Sequence, residues 1–162
     1  MMNSEKNKKT CTDEVSDILE QYDKKIKLPN TPDQYFFIDK IKVIETINKG
    51  IPYSFFNRIQ DYSPFTESEW ATLLSISTKS LQRYKSTENY RFKPLQSEKI
   101  IAMTEVTKAG MDLFGNIDKF KEWLNTPSYA LGNLKPMELL SSSYGKELVM
   151  DELIRLNQGI LV

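Results

Sequence analysis

The stretch ESEWATLLSISTKSLQRY, Glu67 to Tyr84, decides the fold. Read as two short helices joined by a tight turn, each of its positions has a steric reason. Ala71 sits where the second helix crosses the first, and only a small side chain permits that approach. Trp70, Leu74, Ile76, Leu81 and Tyr84 fall where side chains must point into a core. Thr66, followed by Glu69, makes a capping box that opens the first helix near Glu67, and Ser77 caps the second. Ser75 occupies the turn, where a left-handed backbone costs a serine roughly 1 kcal/mol relative to glycine. The pattern is that of a helix-turn-helix.

If Thr78 to Lys85 is the recognition helix, its outward residues are Lys79, Ser80, Gln82, Arg83 and Lys85, all able to meet base edges or phosphates in a major groove. From Ile76 to Lys99 six basic residues (Lys79, Arg83, Lys85, Arg91, Lys93, Lys99) stand against two acidic ones (Glu88, Glu98). The whole chain is neutral, with 22 basic and 22 acidic residues, so this local excess is the electrostatic footprint of a DNA-facing surface. Gln82 and Arg83 are the expected base contacts; Lys79, Lys85, Arg91 and Lys93 are expected on phosphates.

Working outward, Phe37, Ile38, Ile41, Ile44 and Ile47 recur at helical spacing before Gly50. After Ile51-Pro52, a second helix aligns Phe55, Phe56, Ile59 and Tyr62 and stops at Ser63-Pro64. Both read as core-building. A longer helix, Ser97 to Phe114, carries Ile100, Met103, Val106, Gly110 and Leu113 on one face and ends at Gly115; it is the expected spine between two domains. Then come a short helix ending at Leu124, the irregular loop NTPSYALGN, a helix opened by Pro136, and a last helix from about Tyr144 to Asn157. No alternating runs, Asn-Gly turns or repeats signal strands. The fold class is therefore all-α: a helix-turn-helix domain over 35–116, then a small helical domain over 117–162. The polar residues 1–34, with a short helix around Asp13 to Tyr22, read as a mobile tail.

Composition narrows the function classes. The chain has 162 residues and is 40% hydrophobic, enough for a substantial core. It contains no histidine, which removes the commonest general base and most zinc sites. No phosphate loop, nucleophile elbow or metal-ligand spacing is present, so neither enzyme nor cofactor is expected. Cys11 is the only cysteine, so no disulfide closes within the chain. The opening MMNSEKNKKT lacks a signal peptide's apolar run, and no stretch approaches the roughly 18 apolar residues that span a bilayer. A cytoplasmic protein without a membrane partner is expected.

The C-terminal stretch WLNTPSYALGNLKPMELLSSSYGKELVMDELIRLNQGILV resembles the C-terminal domain of Xre/MbcA/ParS-type antitoxins. The resemblance rests on Trp123-Leu124, Pro127, Leu131-Gly132, Pro136, Leu139-Leu140, Gly145, Val149, Leu153, Arg155 and Gly159, in order and with compatible spacing. Upstream, Gly50-Ile51-Pro52, Ser80 to Tyr84 and Phe114-Gly115 extend it to roughly residues 35–162. Where the family commonly shows Ile-Glu-His or Ile-Glu-Tyr before the last glycine, this chain reads Leu156-Asn157-Gln158.

The resemblance implies the antitoxin of a type II toxin–antitoxin pair, whose C-terminal domain blocks a cognate toxin, often an NAD-consuming enzyme of the RES type. Arg155, Gly159, Ile160, Leu161 and Val162 are then the expected toxin contacts, with the apolar terminus either plugging the toxin or folding back on its own helix. Autorepression by binding operator DNA as a homodimer follows from the family and from helix-turn-helix proteins reading paired half-sites. The alternative is a stand-alone regulator whose C-terminal module only dimerises.

Overall fold

The computed structural model describes the backbone from Pro32 to Gly159 and side chains from Lys40 onward. The expected mobile tail, the helix around Asp13 to Tyr22, and Ile160, Leu161 and Val162 lie outside the described residues, except that the first helix already begins at Pro32. The elements are α1 (Pro32–Lys49), α2 (Tyr53–Tyr62), α3 (Glu67–Leu73), α4 (Thr78–Ser86), α5 (Pro94–Phe114), α6 (Ile117–Leu124), a 3-10 turn (Tyr129–Leu131), α7 (Pro136–Leu139) and α8 (Ser143–Asn157). Among the described residues there is no strand, only two isolated bridges, Pro52 with Arg91 and Ser128 with Leu134. The protein is all-α. Residues from Val43 onward form one compact unit, and the part of α1 up to Lys42 belongs to another.

The helix-turn-helix is α3 and α4. Thr66 accepts from the Glu69 N–H while the Thr66 N–H donates to Glu69 Oε2 at 2.7 Å, closing the capping box. At the turn Ser75 takes φ +55, and the Ile76 N–H reaches back to the Ala71 carbonyl at 3.0 Å. Ser77 caps α4 by accepting from the Ser80 N–H at 3.0 Å. Trp70, Ala71, Leu74 and Leu81 are buried as their spacing requires, whereas Ile76 and Tyr84 are half-buried at the rim of the same core.

An aromatic cluster holds this region together. Trp70, fully buried, meets Phe56 and Phe65 edge-on at 5.1 and 5.3 Å, and Phe56 meets Phe92 at 5.0 Å. Its indole N–H donates to Ser63 Oγ at 2.9 Å, so the polar end of a buried ring keeps a partner.

The spine helix starts at Pro94 rather than Ser97: proline at the first position loses no hydrogen bond there, and its fixed φ suits the helix. Ser97 is thereby carried inside, accepting from the Ile51 N–H at 2.9 Å and donating to the Phe92 carbonyl. One face of α5 meets the α2–α4 core; the same helix packs against α6 and α8. One continuous core therefore runs from Trp70 through Met103 and Val106 to Phe120, Leu140, Val149 and Leu153. Gly110 lets the Phe120 ring lie directly on the α5 backbone, where a Cβ would collide with it.

One expectation needs correction. The α1 stripe does not build core throughout: Ile41 and Ile44 are 43% and 55% exposed, and Ile47 is half-buried. Helical spacing specifies a stripe but not what covers it.

Candidate nucleic-acid interface and C-terminal module

The α4 surface follows from its cap and its packing. Leu81 anchors the inner face, and Lys79, Gln82, Arg83 and Lys85 are left exposed on the outer one. Ser80 is half-buried and receives the Ser77 hydroxyl at 3.0 Å, so part of its hydrogen-bonding capacity serves the cap. Gln82 Nε2 donates to Glu67 Oε1 at 2.9 Å, which ties α4 to the start of α3 and orients the amide.

Arg83 extends over the Tyr84 ring, 5.7 Å from its centre. Tyr84 in turn stacks on Tyr90 at 3.9 Å and 11°. Burial, then the hydrogen bond with Tyr84, raises the Tyr90 hydroxyl above the usual tyrosine range. This stack braces the C-terminal end of α4 against the segment leading to Arg91.

Arg91 is exposed but donates from Nη1 to the Gly50 carbonyl at 2.7 Å, pinning the α1–α2 corner. Gly50 has φ +80, and a Cβ there would run into the Phe92 carbonyl, so glycine is required twice over. Lys93, exposed, precedes α5. Lys99, counted in the local positive excess, turns the other way: its ammonium donates to the Leu140 and Ser141 carbonyls at 2.8 and 3.1 Å, and burial lowers its pKa. Sequence spacing could not separate this structural lysine from those beside α4, because its partners lie more than forty residues downstream.

The C-terminal module is built by tight turns. Asn116 caps α6 through the N–H groups of Asp118 and Lys119. Phe120 stacks on both Phe114 and Trp123 along the contact of α6 with α5, and Phe114 meets Trp123 at a tilt of 40°. Gly132 at φ +68 and Asn133 at φ +62 turn the chain into the segment leading to Pro136, which is buried and opens α7. Ser142 caps α8 through the Gly145 N–H, and Gly145 lies against the Leu139 carbonyl so closely that no side chain fits.

Of the residues expected to face a partner, Arg155 is half-buried and makes a two-pronged bond to Glu152, at 2.8 Å from Nε and 2.6 Å from Nη2. Glu152 itself is buried, so this arginine neutralises an interior carboxylate. Gly159 is exposed at φ +71, at the end of the described chain. The solvent side of α8 instead displays Tyr144, Leu148 and Ile154, at 83%, 52% and 47% exposure. The sequence signal for them was helical phase, each lying off the Val149–Leu153 face.

Residues 42–103 match the family model of the antitoxin Xre-like helix-turn-helix domain, and residues 109–159 match that of the antitoxin Xre/MbcA/ParS C-terminal toxin-binding domain. A relative from Yersinia enterocolitica serotype O:8 / biotype 1B, named antitoxin Xre, is 32% identical over 120 residues, covering 73% of this chain and 80% of its own. A second antitoxin Xre, from Photorhabdus laumondii subsp. laumondii, is 28% identical over 116 residues, covering 71% and 78%. With both of its modules matched in order and a relative covered over most of its length, this chain belongs to the Xre antitoxin family.

Proposed function

We propose that this antitoxin neutralises a cognate toxin through its C-terminal module and represses its own operon through α4. The observation that carries the reading is the union, on one compact unit, of an exposed basic recognition helix with a match to a toxin-binding domain. The 35–116 segment is the DNA-reading domain and 117–162 the toxin-binding one. Gln82 and Arg83 read bases, with Lys79, Ser80, Lys85, Arg91 and Lys93 on the backbone.

The toxin is of the RES, NAD-degrading type. Arg155, Gly159, Ile160, Leu161 and Val162 contact it, and the exposed Tyr144, Leu148 and Ile154 add apolar area to the same helix. Two copies bind paired half-sites. The protein works in the cytoplasm without catalytic activity of its own. No described helix is long and apolar enough to cross a membrane, and no described group of three acidic or sulfur ligands is placed to hold a metal.

Co-purification with the product of the adjacent gene tests this reading, comparing the full chain with one ending at Asn157. The expected result is a stable complex that weakens on truncation, and a full chain that shifts the DNA upstream of its own gene. Absence of any complex with either chain refutes the antitoxin role and leaves a stand-alone regulator.

A further inference from the structure

A cleft of about 440 Å³ opens beside the C-terminal end of α4. Ser54, Lys85, Thr87, Asn89 and Arg91 contribute to its lining, and no carboxylate does. Two cations from separate segments thus converge on one concavity without an acidic partner in its wall. Arg91 spends one of its guanidinium's five N–H donors on the Gly50 carbonyl and also lines the cleft. Lys85, Ser54 and Asn89 are exposed, and Thr87 donates its hydroxyl to the Arg83 carbonyl and its N–H to the Tyr84 carbonyl, so both of its donors are already used. Pro52, at the N-cap of α2, has no side-chain oxygen to offer that helix's first turn, and the turn holds no acidic residue.

Helix α4 has nine residues and is about 13 Å long, and the second helix of a helix-turn-helix lies within the major groove. With Gln82 and Arg83 of α4 at the base edges, Lys85 and the cleft beyond the C-terminal end of the helix lie toward the groove wall, where the sugar-phosphate backbone runs. We propose that this cleft clamps one backbone phosphodiester of the DNA that α4 reads, with Lys85 and Arg91 sharing its charge and Ser54 and Asn89 donating hydrogen bonds. The inference rests on the DNA-binding reading above and adds to it one phosphate shared by Lys85 and Arg91 and two residues, Ser54 and Asn89, that the reading did not include.

The test uses the full chain, the duplex upstream of its own gene and a random-sequence duplex of equal length, with affinities measured over a range of NaCl concentrations. Ser54→Glu puts a carboxylate into the cleft at a helix start, where an acidic residue favours folding. The expected result is an unchanged or raised melting temperature with DNA affinity lower on the order of tenfold for both duplexes. Asn89→Asp, outside any helix, is the second carboxylate variant and is expected to act in the same direction. The double variant Lys85→Gln with Arg91→Gln is expected to lower the slope of log affinity against log salt by about 0.9, the value for one phosphate; two separate phosphates give about 1.8.

Wild-type affinity in both carboxylate variants, or the larger slope change, overturns the clamp and leaves the DNA-binding reading standing. A wild-type chain that binds neither duplex overturns both. If inorganic phosphate perturbs the Ser54 and Asn89 amide resonances at millimolar concentration while the carboxylate variants bind DNA normally, the cleft takes a free anion and the proposal falls.

Discussion

Replacing Gly145 by alanine tests the geometry that seats α8. A Cβ at this position would run into the Leu139 carbonyl oxygen and lie 2.7 Å from its carbonyl carbon and 3.0 Å from its Cα. Carbon contacts are comfortable at about 3.5–4.0 Å, so the start of α8 and the end of α7 must part by several tenths of an ångström or more. The obstructing atoms are backbone, so no side-chain rotation relieves the clash. Overpacking of this kind costs about 1–3 kcal/mol, and a rigid obstacle belongs at the upper end. Alanine recovers about 0.5–1 kcal/mol of helix propensity. The net expectation is a loss of about 2 kcal/mol, or about 4–8 °C in melting temperature for a chain of this size. Thermal melting followed by circular dichroism reads it directly. Gly115→Ala is the comparison: φ is +63 but nothing lies within 4 Å, so only the left-handed backbone cost of about 1 kcal/mol applies. A Gly145→Ala protein that melts at or above the wild-type temperature refutes the close-packing argument for this glycine.

Three further outcomes are expected. Ser63→Ala leaves the buried Trp70 N–H without its 2.9 Å acceptor and lowers stability by about 1–3 kcal/mol; an unchanged urea midpoint would show that the bond is replaced by water. Tyr90 has a folded-state pKa raised above its ordinary value of 10.0, so its contribution to stability is complete below that pH and is lost as pH rises beyond it. Tyr90→Phe should accordingly flatten the decline in melting temperature at alkaline pH, and parallel declines in the two proteins would sink the assignment. Arg83→Ala is expected to reduce discrimination between operator and random DNA by about 1–3 kcal/mol, read from competition binding; equal weakening on both duplexes would place Arg83 on a phosphate instead.

The sequence alone determined the helix-turn-helix, because its signals are local. A capping box at Thr66 and Glu69, a small residue at Ala71, a turn at Ser75 and a cap at Ser77 act within a few residues of one another, and each recurs in the structure where its spacing placed it. The order of helices beyond it was legible for the same reason, through Pro136, Gly115 and the periodic apolar faces. Tertiary structure decided what depends on partners distant in sequence. Only packing shows that Lys99 serves two carbonyls of the C-terminal module rather than the surface beside α4. Only packing shows that Arg155 neutralises a buried Glu152, that Gly145 admits the Leu139 backbone, and that Ser54 shares a cleft with Lys85 and Arg91. Periodicity states which face a residue occupies; whether that face meets core, solvent or a charge is settled by the chain that folds against it.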